Sequence, residues 1–190
     1  PLILGWNLAR LAETLLPLID ADEGRAVEAA MAVLSGVAAR YRAAWVDVMR
    51  EKLGLAGEDD GDGALADDLL SLMAGAGSDW TLSFRRLAEA AEGEAAFFAA
   101  QVPGAGDWLA RWRQRLDAGS PARIRAANPI YIPRNHRVEE ALSAATAGDI
   151  APFHGLLAVV TDPFVERAGQ EGYALPAPAG FGAYRTFCGT

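Results

Sequence analysis

Val138–Val160 reads VEEALSAATAGDIAPFHGLLAVV, and its punctuation decides the fold class. Val138, Ala141, Leu142 and Ala145 recur at helical spacing. Gly148 then suits the position just past a helix end, and Asp149 the cap of a second helix. That second helix presents Phe153, Leu156, Leu157 and Val160, with Pro152 in its first turn, where the missing N–H does little harm. Two helices joined so tightly pack as antiparallel neighbours.

The same period extends through the rest of the chain. Leu4, Leu8, Leu11 and Leu15 share a face that Pro17 closes, and Ile3, Trp6, Ala9, Ala12 and Leu16 make most other sides apolar as well. Such a helix calls for cover on most sides. A single long helix follows, with Val27, Ala30, Leu34, Val37, Tyr41, Trp45 and Val48 on one stripe, ending near Gly54. Leu65, Leu69, Leu72 and Met73 mark a short helix that stops around Gly75–Gly77. Ser78 or Asp79 caps one carrying Trp80, Phe84 and Leu87. Asp107 caps the helix of Trp108, Trp112 and Leu116; Ser120-Pro121 starts another, which halts at Asn128-Pro129. No alternating strand pattern and no internal repeat occurs. The expected fold is all-α, an irregular bundle of about seven or eight helices over residues 1–162. From Asp162-Pro163 onward periodicity is lost, leaving 163–190 as an irregular tail.

Bulk properties narrow the function. In 190 residues, 52% hydrophobic, there is enough apolar material for one core. With 17 Lys and Arg against 25 Asp and Glu, the net charge of −8 disfavours nucleic acid or an anionic membrane as partner. Charges interrupt every apolar run before it reaches the roughly 20 residues of a membrane span. One cysteine excludes an intrachain disulfide and a cysteine-based zinc cluster, and it fits a reducing, cytoplasmic compartment. Pro1-Leu2-Ile3-Leu4-Gly5 lacks a methionine and a basic n-region and reads as the middle of a protein.

Candidate chemistry is sparse. Glu58-Asp59-Asp60-Gly61-Asp62-Gly63 resembles the start of a calcium loop, but position 12 is Leu69, so the segment reads as a solvated acidic turn. Trp108, Arg111, Trp112, Arg113 and Arg115 interleave rings and cations. Helical spacing sends the tryptophans inward and places Arg111 and Arg115 on a solvated face. His136 and His154 lack a second histidine at ligand spacing. No phosphate loop precedes the single lysine, Lys52, and no nucleophile elbow occurs, so no catalytic, metal-binding or cofactor-binding residue is assigned. Cys188, in a Gly/Pro-broken terminus, is placed where it can be reached, which suits redox chemistry.

Several stretches in order resemble the C-terminal part of the selenoprotein O family. They are Trp6-Asn7-Leu8; Lys52-Leu53-Gly54; Ser71-Leu72-Met73 through Ser78-Asp79-Trp80-Thr81 to Phe84-Arg85; Asn128-Pro129 with Arg134-Asn135; Gly148-Asp149; Asp162-Pro163-Phe164; and Cys188. The resemblance implies the C-terminal portion of a kinase-like fold that transfers AMP from ATP to protein hydroxyls. It also implies that ATP and Mg (or Mn) bind in an N-terminal kinase-like region absent from these residues. That region would be this chain's own partner, and protein substrates would belong to the full-length form. The helices would serve as scaffold, inactive alone, and Cys188 alone inherits a family role, redox control by disulfide pairing with a cysteine of the missing region. Departures from the family pattern fall at His136, Asp162 and Pro176–Phe181. Two other readings stand beside this one. The first is a free-standing helical protein-interaction module; the second is a small hydrolase or metal enzyme using the acids of Glu58–Asp62.

Overall fold

The computed structural model describes residues 2–181, and among these it is helical with no strand. Eight helices of eight residues or more carry the architecture, with four shorter helical turns between them. The chain divides into two compact units, one up to Met49 and one from Arg50.

The first unit is built on a helical hairpin of α1 (Leu2–Ile19) and α2 (Glu23–Ser35). Asp22 caps α2 by accepting from the Arg25 N–H at 2.9 Å, and the Arg25 guanidinium returns to Asp20 at 2.8 Å. Ala26 and Ala30, both buried, let the two helices approach closely. Pro17 does not close α1, which continues to Ile19, because a proline's fixed φ is itself helical and only one hydrogen bond is lost near the end. The long helix expected from Val27 to Gly54 is two. Gly36 ends α2 with its N–H on Val33 O, and α3 (Val37–Leu53) starts afresh. Across the two helices Val27, Tyr41 and Val48 do not form one buried stripe and remain exposed.

In the second unit, α4 (Asp62–Ala76) buries Leu65, Leu69 and Met73 and ends at left-handed Gly77, with the Ser78 N–H returned to Met73 O. Asp79 caps α5 (Trp80–Arg85) through the Leu82 N–H at 2.8 Å. The helix expected to carry Leu87 as well breaks at Arg86 into α6 (Leu87–Ala91); Trp80 stays half-exposed while Phe84 and Leu87 are buried. After α7 (Ala96–Gln101), α8 (Gly106–Arg113) drives Trp108 and Trp112 inward, stacked with centroids 5.5 Å apart. Their indole N–H groups donate to Leu65 O and Leu53 O, so burial leaves neither polar tip unsatisfied. Asp107 lies in the first turn of α8 and does not cap it. Gly119, one residue before the expected Ser120, precedes α9 (Ser120–Ala127).

A second cluster of Leu82, Ile130, Tyr131, Ala141, Leu156, Val159 and Ala174 forms where α10 (Asn135–Thr146) and α11 (Ala151–Val160) pair. Gly148 takes the left-handed turn between them, and Asp149 accepts from the Ala151 N–H. The inward face of α11 is rotated from the expected one: Leu156 and Val159 point in, while Phe153, Leu157 and, on α10, Leu142 are exposed. Beyond it, Pro163 O accepts from the Ile130 and Tyr131 N–H groups, and α12 (Glu171–Ala174) adds a single helical turn. Cys188 lies outside the described residues.

Candidate functional site

Three segments far apart in sequence meet at one buried guanidinium, and a fourth joins through Asn128. Arg85, 4% exposed at the end of α5, donates through Nη1 to Arg125 O (2.9 Å) and Asn128 O (3.2 Å). Its Nη2 donates to Phe164 O (3.1 Å), and its Nε to Glu166 (3.2 Å). Beside it, buried Asn128 donates to Lys52 O and Ile124 O and accepts from Lys52 Nζ at 2.7 Å. The same ammonium lies 4.8 Å from the centre of the Phe84 ring. Burial pushes the Lys52 pKa down. Lys52-Leu53-Gly54, Phe84-Arg85, Asn128-Pro129 and Pro163-Phe164 thus converge on one polar node.

Two further clamps flank it. Arg134 grips Asp79 with both terminal nitrogens, at 2.7 and 3.0 Å, while Asp79 still caps α5. Burial alone would raise the Asp79 pKa. The Arg134 fork and the Leu82 N–H outweigh it and hold the carboxyl below its ordinary range. Asp62, 2% exposed, accepts from Arg50 at 2.7 Å, from Arg115 at 2.9 and 3.0 Å and from the Asp59 N–H at 2.9 Å. Again burial raises and the three donors lower, with the net result below the usual carboxylate value.

The acidic stretch is therefore not wholly a solvated turn. Glu58, Asp59 and Asp60 are exposed, but Asp62 is a core anion. Likewise Arg111 lies in solvent as expected, whereas Arg115 is drawn in to Asp62, because α8 ends at Arg113 and the chain tightens there. A sequence signal existed for Asp62: it precedes Leu65, Leu69 and Met73 by 3, 7 and 11 positions, on their buried face. His136 is buried edge-on to Phe181, and its pKa is lowered mainly by that burial; His154 is exposed.

These clusters are ion pairs and hydrogen bonds closed largely among themselves; of the Arg134 guanidinium, only buried Nε lacks an acceptor. Each Arg85 nitrogen has an acceptor, and the one lysine is spent on Asn128. Among the described residues no three His, Cys, Asp or Glu side chains converge as a metal would require, and no helix is long and apolar enough to cross a membrane. This donor set does not fit a metal–nucleotide complex. Its chemistry is clamping.

A family model described as protein adenylyltransferase SelO matches residues 1–161. The chain is similar to proteins named protein nucleotidyltransferase YdiU: 61% identical to one from Cereibacter sphaeroides over 193 positions, 48% to one from Mycolicibacterium paratuberculosis over 200, and 46% to one from Rhizobium etli over 202. Each alignment covers 100% of this chain and 40% of the relative. The chain spans about two fifths of the length of the curated relatives it matches, at their C-terminal end.

Proposed function

The chain belongs to the protein adenylyltransferase SelO family, and from that membership we propose that it is the C-terminal helical region of a cytoplasmic enzyme that transfers AMP from ATP to protein hydroxyls. A kinase-like region ahead of it supplies the nucleotide site and binds Mg or Mn; these helices are its scaffold. The observation that carries this reading is the Arg85 node, where four family-like segments meet in a clamp whose guanidinium nitrogens and lysine ammonium all have acceptors. No step of the transfer is routed through the residues described here.

Cys188 is the redox element of this proposal. Its thiol and a cysteine of the preceding region form a disulfide, yielding two electrons and two protons to an external oxidant.

The test is calorimetric titration of Mg-ATP with a radiolabelled AMP-transfer assay, on this chain and on the protein read with the sequence ahead of residue 1. The longer protein is expected to bind and transfer, and residues 1–190 to do neither. Micromolar Mg-ATP binding by residues 1–190 alone would overturn the assignment. A second reading, a free-standing interaction module, is favoured by one observation, the exposed apolar face of α1. An open reading frame with no kinase-like sequence ahead of residue 1 selects it.

A further inference from the structure

The first unit leaves an apolar groove of about 470 Å³ open to solvent, walled by Leu8, Leu11 and Leu15 of α1, Ala30 and Val33 of α2, and Val37 of α3. On α1, Leu4, Leu8, Leu11, Leu15 and Leu18 follow one another at spacings of 4, 3, 4 and 3, the seam by which one helix receives another. Among the described side chains of α1 none is fully buried; Leu11 is 54% and Leu18 83% exposed. We propose that this groove seats an amphipathic helix from the part of the same protein that precedes residue 1, completing a three-helix layer with α1 and α2. The inference rests on the reading of the chain as one region of a longer adenylyltransferase.

Three observations choose this occupant. The walls are aliphatic, with Arg40 as the one charged lining residue, so an extended segment laid there would have peptide groups with no partner. A helix satisfies its own. Along α1 the groove runs from Leu8 to Ile19, roughly 16 Å at 1.5 Å per residue, which matches a helix of about three turns. Finally, relatives up to 61% identical devote only 40% of their length to the matched part, which lies at their C-terminal end, so most of their chain is available ahead of it.

The test uses the longer protein with benzoylphenylalanine at position 11, illuminated and mapped by peptide mass spectrometry. Carbene footprinting of the unsubstituted protein reads the same surface without any variant. The expected result is a cross-link within one molecule to an apolar-faced segment ahead of residue 1, with labelling of Leu11 and Leu15 reduced at least about fivefold relative to Leu142 on α10. A cross-linked product of twice the mass assigns the groove to a second copy and overturns the proposal, as does undiminished labelling of Leu11 and Leu15. AMP transfer is assayed on the same sample. Activity with cross-links elsewhere sinks the docking and leaves the function standing. The expected cross-link in a protein inactive toward ATP sinks the function and leaves the docking.

Discussion

Arg85 and Asp62 are charges held inside the core by partners from distant parts of the chain, so each reports on how the fold is fastened. Removing Arg85 leaves Arg125 O, Asn128 O and Phe164 O short of a donor in a buried site. Arg85→Met should cost about 3 kcal/mol in urea denaturation, and Arg85→Lys should recover little, because an ammonium cannot reproduce the planar fork. A loss under about 1 kcal/mol for Arg85→Met would show the node to be dispensable. Asp62 adds a pH dependence. Its folded pKa lies below the ordinary 3.8, so its contribution is fully present above about pH 4 and is lost as pH falls through the folded value. Asp62→Asn should cost roughly 2–3 kcal/mol at pH 7, and the gap to wild type should narrow below pH 4. A gap constant down to pH 3 would contradict the pairing. The two residues differ in legibility. Asp62 could have been read from the helical face it shares with Leu65 and Leu69, although its acidic segment reads as a solvated turn. Arg85 gave no local sign, since its acceptors lie 40 to 81 positions away and only the tertiary fold assembles them.

At the scale of elements, helix ends were more legible than helix faces. Gly77, Asp79 and Gly148 act where turn and cap chemistry puts them, because those preferences are local. The breaks at Gly36 and Arg86 and the rotated face of α11 were not legible. An apolar periodicity runs on across a break at one residue whose own backbone stays in the helical region, and which of two adjacent leucines turns inward depends on the neighbour it meets. Two glycines of like backbone separate local from tertiary demand. Gly54 and Gly77 have φ of +65° and +63°. A Cβ at Gly77 meets open space, whereas one at Gly54 would stand 2.6 Å from Ile124 Cγ1 and 2.8 Å from Ser120 O. Gly77→Ala should therefore cost about 1 kcal/mol from backbone strain alone. Gly54→Ala should cost at least about 2 kcal/mol, because α9 must also move. Equal denaturation midpoints for the two variants would refute the close approach of α3 and α9.

The clamps at Arg85, Asp79 and Asp62 tie distant segments of the second unit together, and the −8 charge points away from nucleic acid. Cys188 is the chain's one thiol, and in the proposed function it is the group that would make association with the preceding region sensitive to oxidant. Its position alone suits redox chemistry, but the disulfide pairing rests on family resemblance, since one cysteine names no partner. If its work is regulatory, removing it should separate stability from redox response. Cys188→Ser should shift the unfolding free energy by less than about 0.5 kcal/mol, as substitutions away from packed sites do. In the longer protein the same change should abolish a species that forms on mild peroxide treatment. That species is two mass units lighter than the reduced protein, is reversed by dithiothreitol, and links the Cys188 peptide to one ahead of residue 1. Persistence of that species in the serine variant would remove Cys188 from the switch, and a loss of several kcal/mol would make the residue a packing element instead.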